Sequence, residues 1–338
     1  MTSSWSTGSD PALAPVLAAG GHELLELLER TERRLERAAG GHGAVLGHHA
    51  ATTLAAGGKR LRPMLVFLCA GLARTSGADG DPRVRAATAV ELLHMATLVH
   101  DDVLDRAALR RGRPTVVESA GRAAAVATGD LLLARAFAEL GLTGDPDAVR
   151  ALSAASSALV RGELMQRVDA WSDSVTPERY LERCELKTAR LFEAACRLGA
   201  LLGEPGAGRA DGLGVFGARV GVAFQLLDDV LDIAGPSERT GKPRGTDLLD
   251  GTVTLPLILA RRRDPLLAAL DLRSEAGTPA AAARVCDLIA ATGALEQVRE
   301  QALGQVEEAK AALRGLGLSA AHSAALELVA DGVVERYS

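Results

Sequence analysis

Two short segments of the chain carry three aspartates each at the same spacing. They are Asp101-Asp102-x-x-Asp105 and Asp228-Asp229-x-x-Asp232, and each closes a long apolar stretch. On a helix, residues four apart share a face, whereas adjacent residues are about 100° apart around the axis. The first and third aspartates of each triplet can therefore bind the same ligand. About 0.1 such patterns are expected by chance in this chain, so two copies favour a functional role.

Carboxylates at this spacing point to a divalent cation. Three acids within five positions repel one another, and charge at the end of a buried stretch needs a partner. Mg²⁺ suits such a site because it takes one or two carboxylates together with substrate phosphates. The triplets therefore predict magnesium sites that bind a phosphorylated ligand.

Basic residues lie close to both triplets. The segment Gly57-Gly58-Lys59-Arg60-Leu61-Arg62-Pro63 precedes the first, and Arg110-Arg111-Gly112-Arg113 follows it. The second is followed by Thr240-Gly241-Lys242-Pro243-Arg244. Lys and Arg contact phosphate well, and glycines permit close backbone approach. Any one of these segments could equally be a solvated basic loop, but their repetition beside acid triplets predicts two polyanion sites that face each other.

The phosphate-binding and hydrolase motifs of α/β proteins are absent from the sequence. It contains no Walker loop and no dinucleotide fingerprint after a strand. It also contains no Gly-x-Ser-x-Gly elbow and no His-Glu-x-x-His motif. We therefore expect magnesium and basic side chains to hold the phosphate on a helical scaffold.

The composition predicts that this scaffold is all-α. The 338 residues are 48% apolar but only 3% aromatic, so Ala, Leu and Val must build the core, and Ala and Leu are strong helix formers. Residues 1–20 are expected to be loosely ordered and 21–338 to form one helical domain. Short Gly/Pro-rich turns separate the predicted helices, and no strand of useful length is expected. The predicted helices are 23–37, 63–76, 84–104, 116–140, 147–169, 177–202, 209–233, 253–262, 279–292, 295–314 and 319–335.

Charge and cysteine content exclude several other classes of protein. A net charge of −5 argues against a nucleic-acid partner, whose binding surface on the protein is usually basic. The four cysteines have no metal-binding spacing and are expected to be buried and reduced. No signal peptide is found, and no window reaches about 18 uninterrupted apolar residues. We therefore predict a cytoplasmic protein without an integral membrane segment.

Taken together, in this order, the motifs resemble those of the trans-polyprenyl diphosphate synthases. The match runs from Gly57 to Pro256. Besides the triplets and basic segments, it includes these motifs: Glu91-Leu92-Leu93-His94, Gly129-Asp130, Gly162-Glu163-x-x-Gln166, Lys187-Thr188-Ala189, Phe224-Gln225 and Gly245-Thr246-Asp247-Leu248. The resemblance implies an isoprenoid-synthase-type helical bundle around a central cavity. It also implies a homodimer that uses three Mg²⁺ ions per active site.

The resemblance also assigns roles to individual residues. The implied metal ligands are Asp101, Asp105 and Asp228, supported by Asp102, Asp229 and Asp232. Gln166 and Asp247 would hold metal-bound water. The allylic diphosphate would contact Arg110, Lys187 and Lys242, with Thr188 and Gln225 nearby. Isopentenyl diphosphate would contact Gly58, Lys59, Arg62, His94 and Arg111, and Phe224 would pack on its hydrocarbon. The implied catalytic residues are Asp101, Asp102, Asp105, Lys187, Asp228 and Lys242.

The implied reaction is the condensation of an allylic diphosphate with isopentenyl diphosphate. Metal and basic side chains stabilise the departing diphosphate, and the double bond of isopentenyl diphosphate attacks the allylic cation. The sequence departs from some relatives at Thr252, where they carry a lysine. The C-terminus has no basic run, and Arg336 alone could cap the site.

Ala96, five residues before Asp101, bears on product length. Short-chain relatives typically carry an aromatic residue there, so a small side chain predicts an open tunnel for the growing chain. Leu93 and Leu92 would lie further down the tunnel. We expect a product of twenty-five carbons or more, with geranylgeranyl diphosphate as the alternative.

Two other functions are compatible with an aspartate-rich helical protein. A class I terpene cyclase usually has Asn, Ser or Thr and Glu in its second metal motif and an aromatic-rich cavity. A non-catalytic partner subunit tends to lose aspartates from one motif. This chain keeps both triplets and has few aromatics, so the sequence favours chain elongation.

Overall fold

The computed structural model describes residues 11–40, 43–55, 57–72, 80–204, 207–235 and 244–335. Within these ranges the protein is almost entirely helical, which confirms the predicted fold class. Lys242 and Arg336 lie outside the described residues. The described helices are α1 (Ala14–Ala39), α2 (Ala44–Ala55), α3 (Leu61–Ala70), α4 (Pro82–Asp105), α5 (Val116–Gly141), α6 (Pro146–Asp169), α7 (Pro177–Cys184), α8 (Arg190–Leu202), α9 (Ala210–Ala234), α10 (Thr246–Leu249), α11 (Leu255–Arg263), α12 (Pro265–Ala269), α13 (Leu272–Glu275), α14 (Pro279–Ala291), α15 (Ala294–Leu313) and α16 (Ala320–Glu335).

Side-chain caps fix where several of these helices begin. The Asp81 carboxylate accepts the Arg83 N–H at the start of α4, and Asp145 accepts two N–H groups at the start of α6. Thr115 and Thr176 cap α5 and α7 in the same way. Asp and Thr are favoured at this position because they satisfy N–H groups that the first helical turn leaves unpaired.

The core surrounds α8, which packs against α3 on one side and α9 on another. A Cβ at Gly199 would lie 2.3 Å from the Val66 oxygen of α3, and one at Gly217 of α9 would lie 2.6 Å from the Phe192 oxygen. Both positions therefore require glycine for the helix backbones to come this close. In addition, α4 packs along α5 and contacts α3 and α8. These contacts place the C-terminal ends of α4 and α9, where the two triplets stand, around the same central helices.

The helix boundaries differ from the sequence predictions in several places. Residues 14–20 are helical and Val16 is fully buried, so the expectation of a loose segment to residue 20 is wrong for that part. Gly21 then breaks the helical geometry inside α1. Helix α3 ends at Ala70 rather than at residue 76, and α2, α10, α12 and α13 were not predicted. Two antiparallel strands, β1 (Leu109–Arg110) and β2 (Arg113–Pro114), also interrupt the all-helical pattern.

Among the described helices, α9 has the length and mean hydropathy of a membrane span. It is nevertheless mostly buried inside the fold and carries the second aspartate triplet. Its apolar character is therefore explained by its place in the core. The four cysteines are free and buried, as expected.

Candidate active site

The three aspartates of each triplet have different surroundings. Asp101 and Asp105 at the end of α4 are half-buried, and Asp228 on α9 is exposed. The middle residues Asp102 and Asp229 are only 5% and 2% exposed. The helical turn therefore directs the middle carboxylate of each triplet into the protein.

Asp102 is tied to the β-hairpin. Its Oδ1 accepts Arg110 Nε at 2.8 Å and lies 2.7 Å from Arg110 Nη2. Arg110 stands on β1, opposite Arg113 on β2. This carboxylate therefore orients a predicted diphosphate-binding arginine, and its own role as metal ligand and catalytic residue stays a prediction.

Asp229 stands at the end of a buried polar chain. Tyr180 donates its hydroxyl to Oδ2 at 2.6 Å, and Gln225 donates Nε2 to Oδ1 at 2.8 Å. Thr188 in turn donates to Gln225 Oε1 at 2.7 Å. Burial raises the pKa of Asp229 to about 8, with Asp247 and Asp228 adding to the rise. The geometry makes Asp229 a buried anchor for Tyr180 and Gln225, and its role as a metal ligand stays a prediction.

Asp232 accepts hydrogen bonds from the start of α10. Its two carboxylate oxygens accept the backbone N–H groups of Thr246 and Asp247 at 3.1 and 3.2 Å. The Thr252 N–H donates to the Asp247 carbonyl at 2.8 Å. Asp232 therefore positions Asp247 through its backbone, an arrangement that the spacing of the triplet did not indicate.

A π-helical turn at Glu185–Ala189 joins α7 to α8 and lies between α6 and α9. A Cβ at Gly162 of α6 would lie 2.6 Å from the backbone nitrogen of Lys187, and one at Gly221 of α9 would lie 2.6 Å from the Ala189 Cα. Only glycine permits this contact on both sides. The turn points Lys187 towards α6 and Thr188 towards α9, so it bridges the surroundings of the two triplets.

Lys187 lies among the acids near the first triplet. Its Nζ is 2.5 Å from Glu163 Oε2 and 3.2 Å from Gln166 Oε1. Burial raises the pKa of Asp101 to about 6, and Lys187 opposes this rise while Glu163 and Asp105 add to it. The structure thus brings together Lys187 and Gln166, two residues to which the family resemblance assigns separate roles and which are 21 positions apart in the chain.

Arg167 is a functional candidate that sequence reasoning missed. It donates to Asp105 Oδ1 and, through Nε, to Glu163 Oε1 at 2.9 Å. Its position one turn after Glu163 on α6 was the available signal, because side chains four apart share a helix face.

A cleft of about 600 Å³, open to solvent, lies beside Asp102 and the hairpin. Arg60, His94, Arg110 and Arg111 line it. Burial lowers the pKa of His94 well below its usual value, and the nearby arginines, led by Arg62, lower it further. His94 is therefore neutral at pH 7, and arginines supply the positive charge of the cleft.

The Gly58-Lys59 segment stands over a buried ion network. Arg60, at φ 49°, immediately precedes α3 and donates to Glu91 Oε1 at 2.6 Å and to Glu32 Oε1 at 2.5 Å. A Cβ at Gly58 would lie 2.9 Å from Arg60 Nη1. Sequence reasoning did not assign Glu32 or Glu91, but a single acid within the apolar run of α4 already called for a buried partner.

Arg62, a predicted contact of isopentenyl diphosphate, packs against an aromatic ring. Its guanidinium stacks 4.6 Å from the Phe192 ring centre, and Phe192 contacts the Phe224 ring at 5.5 Å. The Arg62 Nε atom is buried and has no hydrogen-bond partner among the described residues. An unpaired buried donor of this kind fits an anionic ligand.

The three predicted chain-length residues belong to the core. Ala96, Leu93 and Leu92 are at most 2% exposed, and α4 packs along α5 here. On α5, a Cβ at Gly129 would lie 2.2 Å from His100 Nε2. The Gly129-Asp130 motif therefore makes room for the His100 ring between the two helices.

The accessible carboxylates fit a magnesium site that needs substrate to complete it. Among the described residues, no group of three or more His, Cys, Asp or Glu side chains is arranged to hold a metal by itself. Asp101, Asp105 and Asp228 nevertheless offer hard oxygen donors that are at least partly open to solvent. Mg²⁺ keeps few protein ligands and takes phosphate oxygens from substrate, so the donor set fits.

Comparison with known proteins places the chain in a family. The sequence model described as Polyprenyl synthetase matches residues 44–285. Heptaprenyl diphosphate synthase component 2 from Geobacillus stearothermophilus is 40% identical over 270 residues, covering 80% of this chain and 83% of that protein. Octaprenyl diphosphate synthase from Escherichia coli is 36% identical over 263 residues, covering 77% and 80%.

A solved structure agrees with this sequence similarity. The polyprenyl synthase from Caulobacter crescentus, complexed with calcium and isoprenyl diphosphate, superposes with a TM-score of 0.84 at 36% identity. The match covers 94% of this chain and 98% of that one. The predicted enzyme class is confirmed along with the fold. The chain, with the triplets, the π turn and the basic cleft as its candidate active site, therefore belongs to the polyprenyl synthetase family.

Proposed function

We propose that this protein condenses an allylic prenyl diphosphate with isopentenyl diphosphate, head to tail and in the trans configuration, and releases diphosphate. The π turn carries the proposal, because it places Lys187 among the acids near the first triplet and links Thr188 to the polar chain of the second. The basic cleft beside Asp102 offers a second anion site. Two diphosphates can therefore be bound side by side.

Ionisation of the allylic substrate is the first chemical step. The bond between C1 and the diphosphate oxygen breaks, and the electron pair leaves with the diphosphate. Lys187 and Arg110 are positioned to stabilise that charge by hydrogen bonds. When bound, Mg²⁺ supplies Lewis-acid stabilisation of the same oxygens. Asp101, Asp105 and Asp228 would hold it, with three ions per site.

Isopentenyl diphosphate supplies the nucleophile. We propose that Gly58, Lys59, Arg62 and Arg111 bind its diphosphate, and that neutral His94 adds a hydrogen bond rather than a charge. The double bond attacks C1 of the allylic cation, and the adduct then loses a proton to the released diphosphate. No side-chain base is required.

The product is proposed to carry twenty-five carbons or more. Ala96 has only a methyl side chain at the position where a large side chain would block the growing prenyl product. The relatives named heptaprenyl and octaprenyl diphosphate synthase support a long product.

The test is incubation with isopentenyl diphosphate, Mg²⁺ and allylic primers of several lengths. Chromatography of the dephosphorylated products should show chains beyond twenty carbons together with diphosphate release. A product stopping at twenty carbons would contradict the length, and a released hydrocarbon would contradict elongation altogether. Asp101→Asn should abolish turnover, whereas Asp211→Asn, a neutralised exposed acid on α9, should leave it unchanged.

A second copy of this chain is the proposed partner. Val160, Leu164 and Val168 of α6 are 59%, 61% and 75% exposed and lie one turn apart, which leaves an apolar stripe uncovered. Light scattering should give a dimer mass, and Leu164→Glu should shift it to a monomer. A monomeric wild-type chain would instead favour a different subunit, in line with the relative named component 2.

Three further predictions rest on the sequence alone. Lys242, proposed to bind the allylic diphosphate, lies outside the described residues, and so does Arg336. The cytoplasmic location also stays a prediction. Lys242→Ala should raise KM for the allylic substrate at least tenfold while Lys310→Ala, on α15, should not.

A further inference from the structure

Arg167 is paired with Asp105, a carboxylate that the proposed function assigns to a metal ion. Its Nη2 donates to Asp105 Oδ1 while its Nε donates to Glu163 Oε1 at 2.9 Å. The Arg167 and Asp105 side chains are 33% and 26% exposed, so the pair is partly shielded from water. One guanidinium therefore neutralises two acids from different helices.

We propose that Arg167 pairs with Asp105 in the metal-free enzyme, is displaced by Mg²⁺, and then binds the diphosphate directly. This inference rests on the proposed function, because it requires Asp105 to hold metal. It adds a residue that belongs to none of the sequence motifs identified above.

The local charge balance supports the first half of this proposal. Three acids lie close together here: Asp101, Asp105 and Glu163. Two basic residues, Lys187 and Arg167, balance two of these three negative charges. A divalent ion at Asp105 repels the guanidinium that is paired with the same carboxylate. Metal binding therefore favours release of Arg167 from Asp105.

Glu163 supports the second half, because it can act as a pivot. Its Oε2 is held by Lys187 at 2.5 Å, and its Oε1 accepts Arg167 Nε. Breaking the bond to Asp105 frees Nη2 while Nε stays attached. The freed end remains within one side-chain length of Asp105, where the diphosphate would share the metal. A guanidinium fork is well suited to bind it.

The experiment measures binding rather than turnover. Mn²⁺ binding to the full chain is followed by electron paramagnetic resonance, and inorganic diphosphate binding at saturating Mg²⁺ is followed by calorimetry. The variants are Arg167→Gln, Arg167→Lys and the control Arg150→Gln, which neutralises an exposed arginine of the same helix that pairs with Asp147.

Arg167→Gln should bind Mn²⁺ alone about threefold to tenfold more tightly, since an ion pair of this exposure competes weakly. The same variant should bind diphosphate at least fivefold more weakly. Arg167→Lys should lie between wild type and Arg167→Gln in diphosphate affinity, because it keeps the charge and loses the fork. Arg150→Gln should match wild type in both measurements.

Tighter Mn²⁺ binding together with weaker diphosphate binding in Arg167→Gln would support displacement. If Arg167 only supports the fold, both affinities fall in Arg167→Gln, and the proposal is overturned. Unchanged Mn²⁺ affinity overturns it as well. A wild-type chain that binds neither Mn²⁺ nor Mg²⁺-dependent diphosphate would instead refute the proposed function, so the two failures are distinguishable.

Discussion

Neutralising Glu91 should damage the isopentenyl diphosphate site specifically. The Glu91 and Arg60 side chains are each 5% exposed and 2.6 Å apart, and Arg60 also contacts Glu32, which is 25% exposed. In Glu91→Gln the amide can still accept from Arg60, but a buried arginine loses one of its two counter-charges. The change therefore isolates charge from hydrogen bonding.

The expected loss can be worked from this geometry. Breaking a fully buried pair costs about 3–5 kcal/mol, and the retained Glu32 contact places this case at the lower end, about 3 kcal/mol. For a chain of 338 residues, an unfolding entropy of about 0.7 kcal/mol/K converts this into a Tm fall of about 4 °C. Glu32→Gln, the matched control on the more exposed partner, should cost about 1 kcal/mol.

The kinetic assay separates a site effect from a general one. Arg60 immediately precedes α3 and its guanidinium lies against Gly58, so Glu91→Gln should raise KM for isopentenyl diphosphate about tenfold. KM for the allylic substrate should change less than threefold, because Lys187 stands on a different element. Equal rises in both KM values, or a lower Tm with unchanged KM, would refute the reasoning.

Three further perturbations follow from the same structure. Ala96→Phe should shorten the product in chromatography of the dephosphorylated chains, and unaltered product length would rule out the proposed tunnel. Since burial raises the pKa of Asp229 to about 8, the folded metal-free chain retains a proton that the unfolded chain has lost. The free energy of unfolding should therefore fall as pH rises from 5 to 9 in urea titrations with chelator, and Asp229→Asn should flatten this slope; an equally steep slope in that variant would contradict the assignment. Gly162→Ala should push the Lys187 backbone away, costing about 1–3 kcal/mol and most of the turnover. Gly304→Ala, where a Cβ meets nothing within 4 Å, is its control and should be neutral or slightly stabilising in thermal unfolding.

Local sequence rules predicted much of the helical fold. Apolar spacing and Pro or Gly punctuation placed α4, α5, α6 and α9 to within a few residues, because these signals act inside one helix. The same rules missed α2, which has no acidic residue in its first turn and no basic residue in its last. They also missed the π turn, because its sequence differs little from that of the helices around it.

For the candidate site, too, the sequence predicted local geometry but not the contacts between residues far apart in the chain. Spacing alone showed that the outer aspartates of each triplet share a face and that the middle one does not. It did not show that Asp102 would meet Arg110 or that Asp229 would meet Tyr180, 49 residues away. It also gave no sign that Arg167 would reach Asp105, 62 residues away.

The sequence by itself determined the chemistry that is available to this protein: two acid triplets, basic segments beside them, and helices made of Ala and Leu. The tertiary structure decided which carboxylates remain accessible and which are buried or hydrogen-bonded to other parts of the chain. The physical reason is that charge interactions and burial depend on distance in space. Helical periodicity fixes that distance only within a few turns, and packing of remote helices fixes the rest. The glycines at 162 and 221, which let the π turn fit between α6 and α9, are where the sequence allowed that packing.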